Sequence, residues 1–218
     1  MRTLLLLVLF LFSLPTFSQS PPAVISVDKV NRVLYAGVDN PLTIVAQQKE
    51  PVAWEQISAE ITSVDGLQEL PIKGYNGHFS VNPSSLGPVT ITVTTATGKA
   101  KYPYNVRLVP VEVALGGFSS RNSTAPRTSV LGQIGIRAVV VNLDVCATAP
   151  VTTYEITTIT NGTVRRHINQ GGPFDATGRA MINDLQIGDT LIIRDVHVRR
   201  PGFDGALPVP DTLVLTIE

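Results

Sequence analysis

Residues 89–94 read Val-Thr-Ile-Thr-Val-Thr, a strict alternation of apolar and polar side chains in which every residue is β-branched. In an extended strand successive side chains point to opposite faces, so this pattern buries one face and leaves the other to water. Branching at Cβ also disfavours the helical alternative. Similar β-rich runs occur at residues 24–28, 42–46, 57–62 and 104–108. Gly, Pro, Asn and Asp gather between them, at 37–41, 73–77 and 82–88. Short strands punctuated in this way predict a β-sandwich, and no stretch keeps a helical period over the length of a typical helix.

The second half continues in the same style. Residues 134–145 predict one long strand, and 190–198 and 213–218 two more. Residues 153–160 and 163–168 flank Asn161-Gly162, a pair that tolerates the positive φ of a type I′ hairpin turn. Residues 181–185 predict a short helical turn ahead of Gly188-Asp189, and 119–129 an exposed loop. Pro110 cannot donate to a central ladder, so the boundary between two units is placed there. The expected fold is all-β, with two tandem Ig-like β-sandwich domains at residues 19–108 and 109–218. Each has roughly the 100 residues of one sandwich.

Ahead of them lies an export signal. Arg2 precedes an unbroken apolar run at residues 4–12, Pro15 breaks it, and Thr16 and Ser18 stand three and one residues before a cut at Gln19. Residues 1–18 are therefore expected to be removed, leaving a periplasmic or secreted protein with no stable membrane insertion. The signal holds no cysteine for lipid attachment. Cys146 is the only cysteine in the chain, so an intramolecular disulfide is excluded. Its apolar surroundings predict a buried small hydrophobe, with no base nearby to activate it.

Charge narrows the partners. The chain carries 17 basic and 17 acidic residues, a balance that gives no attraction to nucleic acid. Arg165-Arg166 and Arg199-Arg200 are expected to be solvated strand positions. No phosphate loop, nucleophile elbow, C-x-x-C or H-E-x-x-H occurs. Asp195 and His197 fall on one strand face by period and offer two metal ligands without a third. His167 reads as polar hairpin surface, and His78 sits in a short strand before Phe79. The expectation is no enzyme, no cofactor and no metal site, with the residues of any binding surface left open.

Three segments, in order, carry a family resemblance. Residues 33–41, Val-Leu-Tyr-Ala-Gly-Val-Asp-Asn-Pro, resemble the signature that opens the third periplasmic domain of GldM (also called PorM), a gliding-motility and type IX secretion family. Residues 104–110 are similar to the strand leading into that family's last domain. Residues 188–196 and 201–205 resemble its closing strand and turn. In the first segment Asn40 is pushed toward an extended conformation by Pro41, and Asp39 is expected to bond its own backbone. The full-length family protein, as the resemblance implies, has an inner-membrane helix and a helical domain before its β-domains. It dimerises and connects an inner-membrane motor to an outer-membrane ring, whereas this chain is expected to be a stand-alone module without the membrane-anchored part. The resemblance implies a non-catalytic exported scaffold with an envelope protein partner, and a homodimer as one assembly. The alternative is a carbohydrate-binding or adhesive module. Against that stands an aromatic content of 6%, with Trp54 the single tryptophan.

Overall fold

The computed structural model describes residues 23–27, 32–46, 58–63, 69–75, 77–95, 98–141 and 147–218. The export signal, Trp54 and Cys146 lie outside the described residues.

Two sheets build the first half. One has the order β1 (Ala23–Val27), β3 (Asn40–Ala46), β7 (His78–Val81), β6 (Lys73–Tyr75). The other runs β2 (Val33–Tyr35), β9 (Gly98–Arg107), β8 (Gly87–Thr95), β4 (Ser58–Ser63), β5 (Glu69–Pro71). The alternating run at residues 89–94 lies in β8. It sends Val89, Ile91 and Val93 inward, where they meet Leu42 and Phe79 of the other sheet in one core.

In the second half a six-stranded sheet runs β12 (Thr124–Ala125), β18 (Leu213–Ile217), β16 (Thr190–Arg199), β14 (Val151–Thr160), β15 (Thr163–Gln170), with β17 (Ala206–Pro208) also paired to β16. A three-stranded sheet of β11 (Phe118–Ser119), β10 (Val111–Leu115) and β13 (Arg137–Val140) shares its core. Two helices complete the cover, α1 (Arg127–Leu131) and α2 (Ala176–Asn183). The chain is an all-β protein of two packed cores, one from residues 34–106 and one from 111–217.

Several expectations need correction. The long strand expected at 134–145 is shorter, because Gly135 makes an isolated bridge to Pro173 and regular pairing begins only at Arg137. Residues 142–146 lie outside the description. The helical turn expected at 181–185 is an eight-residue helix that starts earlier, at Ala176. Its N-cap is Asp175, whose carboxylate accepts the Gly178 N–H at 2.8 Å. A Cβ at Gly178 would lie 2.7 Å from Asn169 Oδ1 and 2.8 Å from Ile156 Cδ1, so a hydrogen there lets the helix sit directly on β14 and β15. The loop expected at 119–129 is structured. It contains β12, parallel to β18, and the start of α1, and it buries Ala125 while its other residues stay largely exposed.

Candidate interaction surfaces

The strand register defines the outer face of the wide sheet. Cross-strand partners share a face, so the rows can be read directly. One row is Val164–Ile159–Thr190–Thr216, the next Arg166–Thr157–Ile192–Val214, and the third Ile168–Glu155–Arg194. Val164, Ile168 and Val214 are 51%, 63% and 45% exposed, unusually open for apolar strand residues. β15 is moreover an edge strand, joined to β14 by the Asn161-Gly162 turn with φ of 48° and 78°. The hairpin expectation is met there in both position and backbone conformation.

A charged knot crosses this face. Glu155 Oε1 accepts Arg194 Nε and Nη2 at 2.9 and 2.7 Å and the Thr157 hydroxyl at 2.8 Å, with Arg166 Nε at 4.0 Å. These contacts, the Thr157 hydroxyl foremost, hold the Glu155 carboxyl below its ordinary pKa despite partial burial. Glu155 and Thr157 on β14 and Arg194 on β16 place the knot between Val164 and Ile168 on β15 and Val214 on β18, so the face is ionic at its centre with exposed apolar residues at its margins.

The inner face of β15 carries different chemistry. His167 Nε2 lies 2.7 Å from Asp175 Oδ2, and Arg165 Nη1 donates to Asp184 at 2.7 Å. Asp175 is held below its ordinary pKa first by the Gly178 N–H and then by His167. The reading of His167 as plain surface is therefore corrected. It is half-buried and ties the edge strand to the start of α2. Asn169, fully buried, completes that corner. Its Oδ1 accepts Asp175 N at 2.8 Å and its Nδ2 donates to Pro173 O at 2.8 Å. Tyr154 beside it has its hydroxyl pKa raised, chiefly by burial, and donates to Gly172 O at 3.2 Å.

The candidate metal pair sits at a bulge in β16. Asp195 has φ of 51°, and the β14–β16 register shifts beside it, so the buried positions change from Leu191 and Ile193 to Val196 and Val198. Both side chains stay off the core, and the Asp195 carboxylate lies 3.6 Å from Arg194 Nε. His197 Nδ1 instead lies 3.0 Å from the Asp195 backbone oxygen. Among the described residues no group of three His, Cys, Asp or Glu side chains is placed to hold a metal. No described helix is long and apolar enough to cross a membrane. Arg200, expected in solvent, is 6% exposed and donates to Val109 O.

Concavities among the described residues include two of note. One, about 510 Å³, lies where the halves meet and is lined by Gly37, Val38, Asp39, Asn82, Thr148 and Pro201 among others. The second, about 300 Å³, is mainly apolar and flanked by Ile134, which is 77% exposed. The first carries the Asp39 carboxylate and the Thr148 hydroxyl on its wall, and the second carries the Gln133 and Arg137 side chains.

The segments that carried the resemblance are engaged in turns and joints. Asn40, not Asp39, organises the first. Its Oδ1 accepts Tyr35 N at 2.7 Å, and its Nδ2 donates to Tyr35 O, Val38 O and Val81 O at 2.8, 2.9 and 3.1 Å. Asp189, in the closing segment, buries a carboxylate that accepts Thr160 Oγ1 at 2.9 Å and Gln186 N at 2.8 Å. Family models agree with that ordering of segments. The model of the GldM third domain matches residues 22–107, and that of the GldM C-terminal domain matches residues 110–218. The chain belongs to the GldM family.

No curated protein matches the sequence of this GldM-family chain. Solved structures similar to it include Clostridium thermocellum CbhA fibronectin(III)-like modules, at 13% identity over 89% of this chain and 94% of that one, with a TM-score of 0.25. A titin Ig tandem is 11% identical over 92% and 98%, with a TM-score of 0.26. Elastase-activated Escherichia coli alpha-2-macroglobulin is 10% identical over 90% of this chain and 20% of that one, with a TM-score of 0.30. Scores this low do not mark a shared fold over the whole chain.

Proposed function

We propose that this protein is a non-catalytic interaction module of the cell envelope, exported to the periplasm and working with an assembly of the gliding-motality or type IX secretion kind. Membership of the GldM family supports the assembly. The observation that carries the binding mode is the outer face of the β15–β14–β16–β18 sheet. Exposed Val164 and Ile168 sit on β15, an edge strand with no further strand neighbour among the described residues, and exposed Val214 sits on β18 of the same face. Exposed edges and apolar sheet faces are sites where another chain adds or packs. With no net charge to draw a partner from a distance, affinity comes from local contact.

The partner is a protein, bound through the second half of the chain. A photoreactive amino acid placed at Val164 or Ile168 in the full chain, and activated in living cells, tests this. The expected product is a crosslink to an envelope secretion or motility component, or to a second copy of the chain. Crosslinks that form equally from Lys99, on the first half, would show that this face is not the contact. Binding of glycans alone by the pure protein would overturn the reading in favour of a carbohydrate module.

A further inference from the structure

The two halves of the chain touch backbone to backbone. Residues 36–38 turn the chain between β2 and β3, and Gly37 holds φ at 72°. Residues 201–202 turn it after β16, and Gly202 holds φ at 76°. A Cβ on Gly37 would lie 2.1 Å from the Pro201 carbonyl carbon and 2.3 Å from Gly202 N. A Cβ on Gly202 would lie 2.7 Å from Gly37 Cα. Real Cβ atoms do not come this close to backbone, so neither position has room for a methyl group while the turns stay in contact.

Residues on both sides of Pro201-Gly202 reinforce the contact. Phe203, the next residue after Gly202, is partly buried against the core of the first half. Arg200, just before Pro201, reaches back to the connecting segment and donates Nη1 to Val109 O. Val109 itself is 1% exposed, so the connection between the halves is packed, not free in solvent. Gly37 is in turn held by its own backbone N–H donating to Pro83 O at 2.8 Å, and by the Asn40 side chain gripping both ends of its turn. Arg200 Nε is buried without a hydrogen-bond partner. A buried guanidinium left partly unsatisfied costs stability, so this latch contributes geometry more than energy.

We infer that the Gly37–Gly202 contact, with Arg200 and Phe203 beside it, is a fixed-angle joint that makes the two sandwiches one rigid body. The inference does not depend on which partner the protein binds. A flexible linker would let each half take its own orientation. A joint of touching backbones and a buried connector carries a displacement of one half directly to the other.

Distance measurement between spin labels in the full chain tests it. Labels go on cysteines introduced as Lys99→Cys and Thr177→Cys in a Cys146→Ser background, one on each half and both at exposed positions. The native joint should give one narrow distance distribution. Gly202→Ala and Gly37→Ala should shift or broaden it, because the turns must part to admit a methyl group. Gly162→Ala is the control, since Gly162 has φ of 78° and no neighbour within 4 Å of an added Cβ. It imposes the same backbone strain away from the joint and should leave the distance unchanged. If Gly37→Ala does not fold, Gly202→Ala probes the same contact from the other side, and Phe203→Ala loosens it without adding backbone strain. A broad distribution in the native chain, or one that matches the Gly162→Ala control in the joint variants, would overturn the inference.

Discussion

Replacing Asn40 should cost the first half of the chain about 3 kcal/mol. The side chain is 6% exposed and faces only backbone groups. Its oxygen satisfies one N–H, and its two amide protons are shared among three carbonyls. That is three bonds at full strength, each with a net worth of about 1 kcal/mol. Asn40→Ala removes all three and leaves Tyr35 N without its acceptor. Asn40→Asp should be worse, because a carboxylate oxygen then faces three carbonyl oxygens where a donor stood. In that setting the introduced carboxyl takes up a proton more readily than it does in the unfolded chain. The deficit of Asn40→Asp relative to Asn40→Ala should therefore shrink as pH falls. Urea unfolding of the full chain followed by Trp54 fluorescence reads the effect, since the single tryptophan lies within the sequence of the first half. A loss below about 1 kcal/mol for Asn40→Ala would mean that water or a shifted turn replaces the bonds with little loss. An Asn40→Asp variant no less stable than Asn40→Ala at neutral pH would refute the assignment of the amide as donor.

Other expectations follow from the second half. Gly178→Ala improves helix propensity by up to about 1 kcal/mol, yet drives a methyl group into Asn169 and Ile156 at an overpacking cost of about 1–3 kcal/mol. The net change should be destabilising in a thermal melt, and a stabilised variant would mean that α2 stands off the sheet. Glu155 has a lowered carboxyl pKa, so its contribution is present above the ordinary carboxylate pKa and lost as pH falls through the lower, folded value. Glu155→Gln should accordingly flatten the acid side of the stability–pH profile, and an unchanged profile would count against the knot. Leu213→Ala, which opens a cavity in a fully buried strand position, should cost about 2–5 kcal/mol by denaturant unfolding. A smaller loss would show that the core around β18 collapses to fill it.

Sequence reasoning read the strands well where one face alone decides the pattern. Residues 89–94 and the Asn161-Gly162 turn are the clearest cases, because alternation and turn chemistry are local properties. The helix α2 was harder. Its eight residues contain Thr and Gly, both weak helix formers, and span too few turns for a period to emerge. Asp175 ahead of it was the available signal, as an N-cap residue. The bulge at Asp195 has a weaker signal, since Asp only tolerates the left-handed conformation it adopts there. Arg200 had none. Nothing in a pair of arginines distinguishes a solvated side chain from one buried against the connector, because only the packing of the other half decides it. The edge-strand face was equally hidden. Val164 and Ile168 are apolar strand residues, and which strand ends a sheet is a fact of topology, not of local sequence.

Several residues that carried the family resemblance also form the joint. Gly37 and Asn40 come from the opening signature, and Pro201 and Gly202 from the closing turn, some 160 positions later. In the folded chain Gly37 meets the other two directly, and Asn40 holds the turn that presents it. Asp189, from the same closing segment, seals the corner between β14 and β16 by accepting Thr160. These side chains and glycines satisfy backbone groups or let backbones approach. None of them presents a reactive group to an open cleft. The residues that carried the resemblance therefore lie at the contact between the two sandwiches, apart from the outer sheet face proposed to bind a partner. Substitutions in the signature should change stability and the angle between the halves, while substitutions at Val164, Ile168 or Val214 should change partner binding without moving either. A variant of Val164 that altered the distance between the halves would break that division, and with it the separation of joint from contact surface.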